Sequence, residues 1–225
     1  LNVLGQFTHF DHDTKQDGNR VVLYPSVKWD FHNQWGYIRP KVGVHATYYS
    51  LNSFNGQSGR NVSRVLPIIN VDSGLTFERR ARLFGGKYLQ TLEPRLFYNY
   101  IPTKSQNDLP NFDSSENSFT YSQLFRENLY SGHDRINSAN SLTLTTQSRI
   151  LNPNTGAELF RAGIGQKFYF KNDNVLPDGS VSRYPRSQSD WVAFAHGNIT
   201  PSIRIDLDIH YNQNQSRAES YAAGI

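Results

Sequence analysis

The sequence predicts an all-β fold: antiparallel up-and-down strands of a transmembrane β-barrel, about ten of them, forming a fragment of a larger barrel. Three observations carry this. Stretches of about ten residues alternate apolar and polar side chains. The connections between them run long and short in turn. No apolar run approaches the roughly 18 residues that a membrane helix needs. A period of two turns successive side chains to opposite faces of a strand. A closed sheet can therefore cross lipid while only every second residue meets hydrocarbon.

Residues 1–10 read as the first strand. In 21–31, Val21, Leu23, Pro25, Val27, Trp29 and Phe31 share one face, and Ser26, Lys28 and Asp30 the other. Residues 37–49 set Ile38, Pro40, Val42, Val44, Ala46 and Tyr48 against Arg39, Lys41, His45 and Thr47. Residues 65–78 alternate more loosely, with Val65, Pro67, Ile69, Val71, Leu75 and Phe77 opposed by Asn70, Asp72, Thr76 and Glu78. Residues 87–101 oppose Tyr88, Leu92, Pro94, Leu96, Tyr98 and Tyr100 to Lys87, Glu93, Arg95 and Asn99. Residues 141–151 carry a weaker pattern that includes Arg149. Residues 157–170 place Phe160, Ala162, Ile164, Phe168 and Phe170 opposite Arg161, Lys167 and glycines. Residues 191–200 are compatible, 202–212 alternate strictly with Asp206 and Asp208 on the polar face, and a stub after Tyr221 completes the count.

The short connections fall near 32–35, 80–86, 152–157 and 200–202, and the long ones at 11–19, 50–64, 102–140 and 171–189. Outer-membrane barrels separate loop lengths in this way because one rim faces the periplasm and the other the outside. A soluble Greek-key sandwich, the alternative, has no reason to do so. The aromatic content of 13% includes Trp29, Trp35, Tyr48, Phe170 and Trp191 near strand ends, where interfacial girdles form.

Two features are not generic. Pro25, Pro40, Pro67 and Pro94 lie on the apolar parity of four successive strands, although proline cannot donate to a ladder. Either the pairing is weakened there or each proline occupies a bulge. The connection at 102–140 is also far longer than the usual limit of about 12 to 15 residues. Its Phe112, Leu124 and Phe125 predict an ordered segment folded over or into the lumen on the outer rim, on the side opposite the turn at 152–156.

Catalytic chemistry is thin, and no enzyme, cofactor or metal site is expected. Asp11-His12-Asp13 sits in a loop without a second ligand group at useful spacing. His45, His196 and His210 lie on polar strand faces, where a wet lumen accounts for them. A barrel enzyme would need a constrained nucleophile, and no such motif occurs. The net charge of +4, without a basic run interleaved with aromatics, argues against nucleic acid. Zero cysteines exclude a disulfide framework within these residues. The lumen-facing candidates are Arg39, Lys41, His45, Asp72, Glu93, Arg95, Arg149, Arg161, Lys167, Asp206 and Asp208, a hydrated wall of both signs.

The runs NVDSGLTFER (70–79), LQTLEPRLFY (89–98), DLPNFDSS (108–115), LFREN (124–128) and SGHDR (131–135) closely resemble the LptD (OstA/Imp) family. TQSR (146–149) and GIGQKFYF (163–170) continue the match, which covers about residues 65–170. The resemblance implies lipopolysaccharide assembly at the Gram-negative outer membrane. Family members join a periplasmic β-jellyroll, which receives lipopolysaccharide from a periplasmic Lpt bridge, to a very large barrel. An LptE-type lipoprotein plugs that barrel, and the lipid moiety leaves through a seam between its first and last strands. On this reading residues 1–225 are a central barrel segment in contact with outer-membrane lipid, with the jellyroll, the terminal strands and the cysteines elsewhere. A passive porin is the main rival. The hairpin at 80–86 predicts a register pairing Arg80 with Lys87, which sets Asp72 opposite Arg95 on the polar face.

Overall fold

The computed structural model describes residues 1–14, 16–53, 58–83, 85–183, 187–200, 203–212 and 217–224. Its strands are β1 (Asn2–Phe10), β2 (Gly18–Lys28), β3 (Phe31–His32), β4 (Gly36–Leu51), β5 (Arg60–Leu75), β6 (Phe77–Leu83) and β7 (Gly86–Ile101). Then follow β8 (Ala139–Leu151), β9 (Glu158–Tyr169), β10 (Asp173–Val175), β11 (Val181–Arg183), β12 (Trp191–Thr200), β13 (Ile203–Asn212) and β14 (Arg217–Gly224). One antiparallel sheet runs β1-β2-β4-β5-β7-β8-β9-β12-β13-β14, with β3 on β4 and β6 on β7. These ten sequential rungs are the up-and-down strands that the alternation predicts. The short β10–β11 hairpin stands apart, inside the connection between β9 and β12.

The two faces differ as the pattern requires. On β4, Ile38, Val42, Val44 and Tyr48 are exposed while His45, Thr47 and Tyr49 are buried. The same exposed row continues through Val21, Leu23, Val65, Ile69, Leu92, Leu144 and Ile164. Such a contiguous apolar surface suits hydrocarbon and would be a liability in water.

The prolines mark gaps in the ladders, not bulges. Register is constant from Leu23↔Ala46 to Ser26↔Gly43, but Tyr24 and Pro25 make no pair with β4. Pro40 lies opposite the break between β2 and β3, where Trp29 N–H still donates to its carbonyl at 3.0 Å. Pro94 pairs with Thr146 on β8, but on its other side lies the break between β5 and β6. The missing N–H interrupts hydrogen bonding without shifting the strands. Pro67 pairs with Val44, in line with the Pro25 gap.

The predicted register is corrected by two residues. β6 and β7 meet at Arg82↔Lys87 and close at Leu83↔Gly86, tighter than the turn the sequence suggested, so Asp72 faces Phe97 and Arg95 faces Gly74. A shift of two keeps every side chain on its face. Arg95 therefore still reaches Asp72 diagonally, Nε to Oδ1 and Nη2 to Oδ2, both at 2.8 Å.

The long connections follow β1, β4, β7 and β9 and so leave the sheet at one end, the longest of them being residues 102–138. The turns between β2 and β4, between β6 and β7, and at 152–157 lie at the other end. The short connection expected at 200–202 falls partly outside the described residues. Residues 50–51 and 60–64, expected in a loop, instead extend β4 and β5, which pair from Leu51↔Arg60 to Gly36↔Leu75.

Candidate functional site

The connection 102–138 covers one face of the sheet from β1 to β13, and we call it the strap. From Phe119 to Asp134 its landmarks lie along the sheet in reverse strand order. Phe119 packs on His210 of β13, ring centroids 5.3 Å apart, and Tyr121 meets Phe194 of β12 edge-on at 4.5 Å. A 3-10 turn, Ser122–Phe125, then inserts Leu124, which is 0% exposed. The Leu124 carbonyl accepts from Thr143 Oγ1 of β8 at 3.0 Å. Gly165 of β9 makes room for it, since a Cβ there would stand 2.9 Å from Leu124 Cδ1. Phe125 follows, 6.2 Å from Phe97, with the Arg95 guanidinium carbon 3.7 Å from its ring centroid.

Three carboxylates anchor the strap to β2, β4 and β5. Glu127 accepts from Lys41 Nζ at 2.6 Å, Tyr24 hydroxyl at 2.7 Å and Asn70 Nδ2 at 2.8 Å, and its carbonyl accepts from Asn99 at 2.9 Å. Asp134 accepts from Arg20 Nη1 at 2.7 Å, Tyr49 hydroxyl at 2.8 Å and the backbone N–H of Phe112 and Asp113. Asp113 holds the other edge of Arg20, Nη2 to Oδ2 at 2.7 Å. Arg64 donates to the carbonyls of His133 and Asp134 and to Gln106. Arg20, Arg64 and Asp134 are almost wholly buried, so each charge depends on these partners.

The strap chain is shaped for this clasp. Gly132 takes φ +64 beside Asp113, a conformation that L side chains rarely adopt. The hydrogen bond from Arg20 pulls the Asp113 carboxyl from 3.8 down to about 2. Burial, followed by the neighbouring Arg20, lowers His133. Phe112 stacks on Phe10 at 4.2 Å, half-buried as its partner on β1 requires. The β10–β11 hairpin backs the strap: Tyr130 hydroxyl donates to the Val175 carbonyl, Arg135 Nε to that of Pro177, and Ser138 hydroxyl to that of Asp173. Ile136 covers Leu66, Ile68 and Ile101, apolar residues on the otherwise polar parity.

The eleven candidate wall residues share the parity of the strap-bearing face, but their surroundings divide. His45 and Lys167 are 4% exposed, against the expectation of a hydrated wall throughout; the strap displaces water at that end. Lys41 is tied to Glu127, and Arg95 to Asp72 and Phe125. Nearer the short turns, Glu93 binds Arg149, while Arg161 lies 3.4 Å from Glu158 and Arg39 pairs with Asp30. On β12 and β13, His196 lies between Asp206 at 3.0 Å and Asp208 at 3.6 Å. A cleft of about 400 Å³ opens beneath Phe125 and Glu127, with Lys28, Arg39, Lys41 and Arg95 among its lining. Sequence reading missed Arg20, Tyr24, Arg64, Asp113, Glu127 and Asp134. The available signal was two arginines on polar parity at the strand ends nearest the longest loop.

An up-and-down antiparallel sheet with one apolar exposed face, one face of paired charges and its long connections at one end has the architecture of transmembrane β-barrel strands. The family model described as LptD, LPS transport system D, matches residues 1–225, and the chain belongs to the LptD family. It is 68% identical over 224 residues to the LPS-assembly protein LptD of Neisseria meningitidis serogroup A, covering 100% of this chain and 28% of that protein. The LPS-assembly protein LptD of Chromobacterium violaceum is 43% identical over 223 residues, covering 99% of this chain and 28% of that protein. That of Nitrosomonas eutropha is 42% identical over 227 residues, covering 100% and 31%. The chain thus spans about a third or less of the length of the relatives it matches.

Proposed function

We propose that residues 1–225 form part of the barrel wall of the outer-membrane translocon that inserts lipopolysaccharide into the outer leaflet. The polar face turns to the lumen and the apolar face to outer-membrane lipid, and the strap lies at the extracellular end. The remainder of the protein links this wall to the periplasmic Lpt bridge, and an LptE-type lipoprotein occupies the lumen. The observation that carries this reading is the half-exposed row of paired charges left below the strap, at Arg39, Asp72, Arg95, Glu93 and Arg149. A wall that is wet and charged with both signs suits phosphorylated saccharide and a polar plug. It needs no catalytic group.

The test replaces Arg39, Lys41, Arg149 and Arg161 together with Ala in the full-length protein. The barrel is expected to fold, because most of these charges are solvated, while surface lipopolysaccharide falls or the plug lipoprotein co-purifies poorly. Normal export and plug binding with altered ion selectivity would favour a porin.

A further inference from the structure

Glu127 sits in an unusual place for a surface-loop carboxylate. One of its oxygens takes Lys41 Nζ and Asn70 Nδ2, and the other takes the Tyr24 hydroxyl. The three donors come from three consecutive rungs, β4, β5 and β2, so they are fixed by the sheet and not by the strap. Gly43 leaves space for the Tyr24 ring, since a Cβ there would lie 2.6 Å from Tyr24 Cε2. Lys41 Nζ also lies 4.9 Å from that ring's centroid. A cation, a phenol and an amide converging on one point are a donor set for any oxyanion. The same position borders the cleft lined by Lys28, Arg39 and Arg95, of which Arg39 and Arg95 already have carboxylate partners. Among the described residues the Lys28 ammonium makes no hydrogen bond or ion pair, although its charge acts on Asp30.

Resting on the translocon reading, we propose that the Tyr24, Lys41 and Asn70 donor set is a receptor for an oxyanion of the passing glycolipid, phosphate or sugar carboxylate. Glu127 fills the receptor as an internal stand-in when no ligand is present. An anion entering through the cleft exchanges with Glu127 for the same donors, using Lys28 as an additional cation. The strap then loses its central anchor while Asp113 and Asp134 keep the outer one. Ligand arrival is thereby coupled to loosening of the strap over β5 to β13. The coupling requires only that the ligand bind the released state better than the docked one.

Full-length protein is titrated with purified lipopolysaccharide in three forms: native, dephosphorylated and carboxyl-reduced. Binding and amide exchange over residues 119–131 are followed together. The native form is expected to raise exchange there several-fold while residues 106–114 stay protected. Loss of the effect on dephosphorylation assigns phosphate, and loss on carboxyl reduction assigns carboxylate. E127Q is expected to exchange fast without ligand and to bind the native form roughly tenfold tighter, since the competent state is already populated. K41Q keeps the strap carboxylate but removes the receptor's cation, so binding weakens. Binding of all three forms without any change in strap exchange, or E127Q binding no tighter than the unaltered protein, would overturn the receptor alone. Failure of every form to bind would overturn the translocon reading and the receptor with it.

Discussion

The strap-covered end of the charged face and the end near the short turns carry the same sequence signature and reach opposite electrostatic states. Both place charged side chains on the same parity, although at the covered end Leu66, Ile68 and Ile101 interrupt the row. At the covered end, the Arg20–Asp134 pair has both side chains 0% exposed. Toward the short turns, Arg149–Glu93 is 35% and 15% exposed, and Arg161–Glu158 is 48% and 38%. A dry ion pair has lost its hydration and depends on its geometry, whereas a wet one is nearly neutral for stability. One end of the face is therefore a clasp, and the other is a surface free to meet something else.

The largest effect that would break this contrast is expected at Asp134. Replacing it with Ala leaves Arg20 to Asp113 alone and strips the acceptor from the Tyr49 hydroxyl and from the Phe112 and Asp113 N–H groups, a loss of about 3–5 kcal/mol in strap docking. Amide exchange over residues 106–138 should rise to the level of an undocked loop. A change confined to a few tenths of a kcal/mol would mean that the covered end is no drier than the other.

Val42→Arg sets the scale for the outer face. Val42 is 43% exposed on the apolar parity, and a charge there costs roughly 2–4 kcal/mol near the bilayer midplane. The check is the urea midpoint of barrel unfolding in lipid vesicles.

Most of the face assignment was already legible in the sequence, because parity is a local property. Val42 and Lys41 are adjacent in the chain and must point apart. The place of the long loop was legible from its length, and the packing of Leu124 from its apolar character. Two things were not. The register depended on whether the turn after Arg80 was loose or tight, and a slip of two residues leaves the parity unchanged. The clasp depends on Asp113, Asp134 and Glu127 meeting Arg20, Tyr24, Lys41 and Arg64 across sequence separations that no local pattern encodes. The proline gaps were half legible: Pro25, Pro40 and Pro94 signalled lost hydrogen bonds, but only pairing shows that register survives each of them.

Acid should sharpen the same comparison. Asp113 has its pKa lowered to about 2 in the docked strap, against an ordinary 3.8. A depressed folded-state pKa contributes stability that is fully present above the unfolded value and is lost as pH falls through the folded one. Strap protection should thus hold at pH 5 and decline only between about pH 4 and 2. Exchange over residues 111–115 read against pH measures this, and a decline centred near neutrality would point to a different anchor.

The smallest effect is expected at Arg149. Its pair with Glu93 is partly solvated, so Arg149→Ala should cost about 0–1 kcal/mol and leave strap exchange unchanged. A loss as large as that at Asp134 would erase the distinction between clasp and wet wall.

The central claim is that one face of this sheet meets lipid and the other meets water and the strap. It is tested most directly by attaching a small environment-sensitive fluorophore, one site at a time, to the full-length protein in bilayers containing brominated lipid. Labels at Val42, Leu144 and Ile164 should be quenched, and labels at Lys41, Arg149 and Arg161 should not be. Equal quenching on both parities, or its absence from the apolar one, would contradict the assignment of this sheet as a barrel wall.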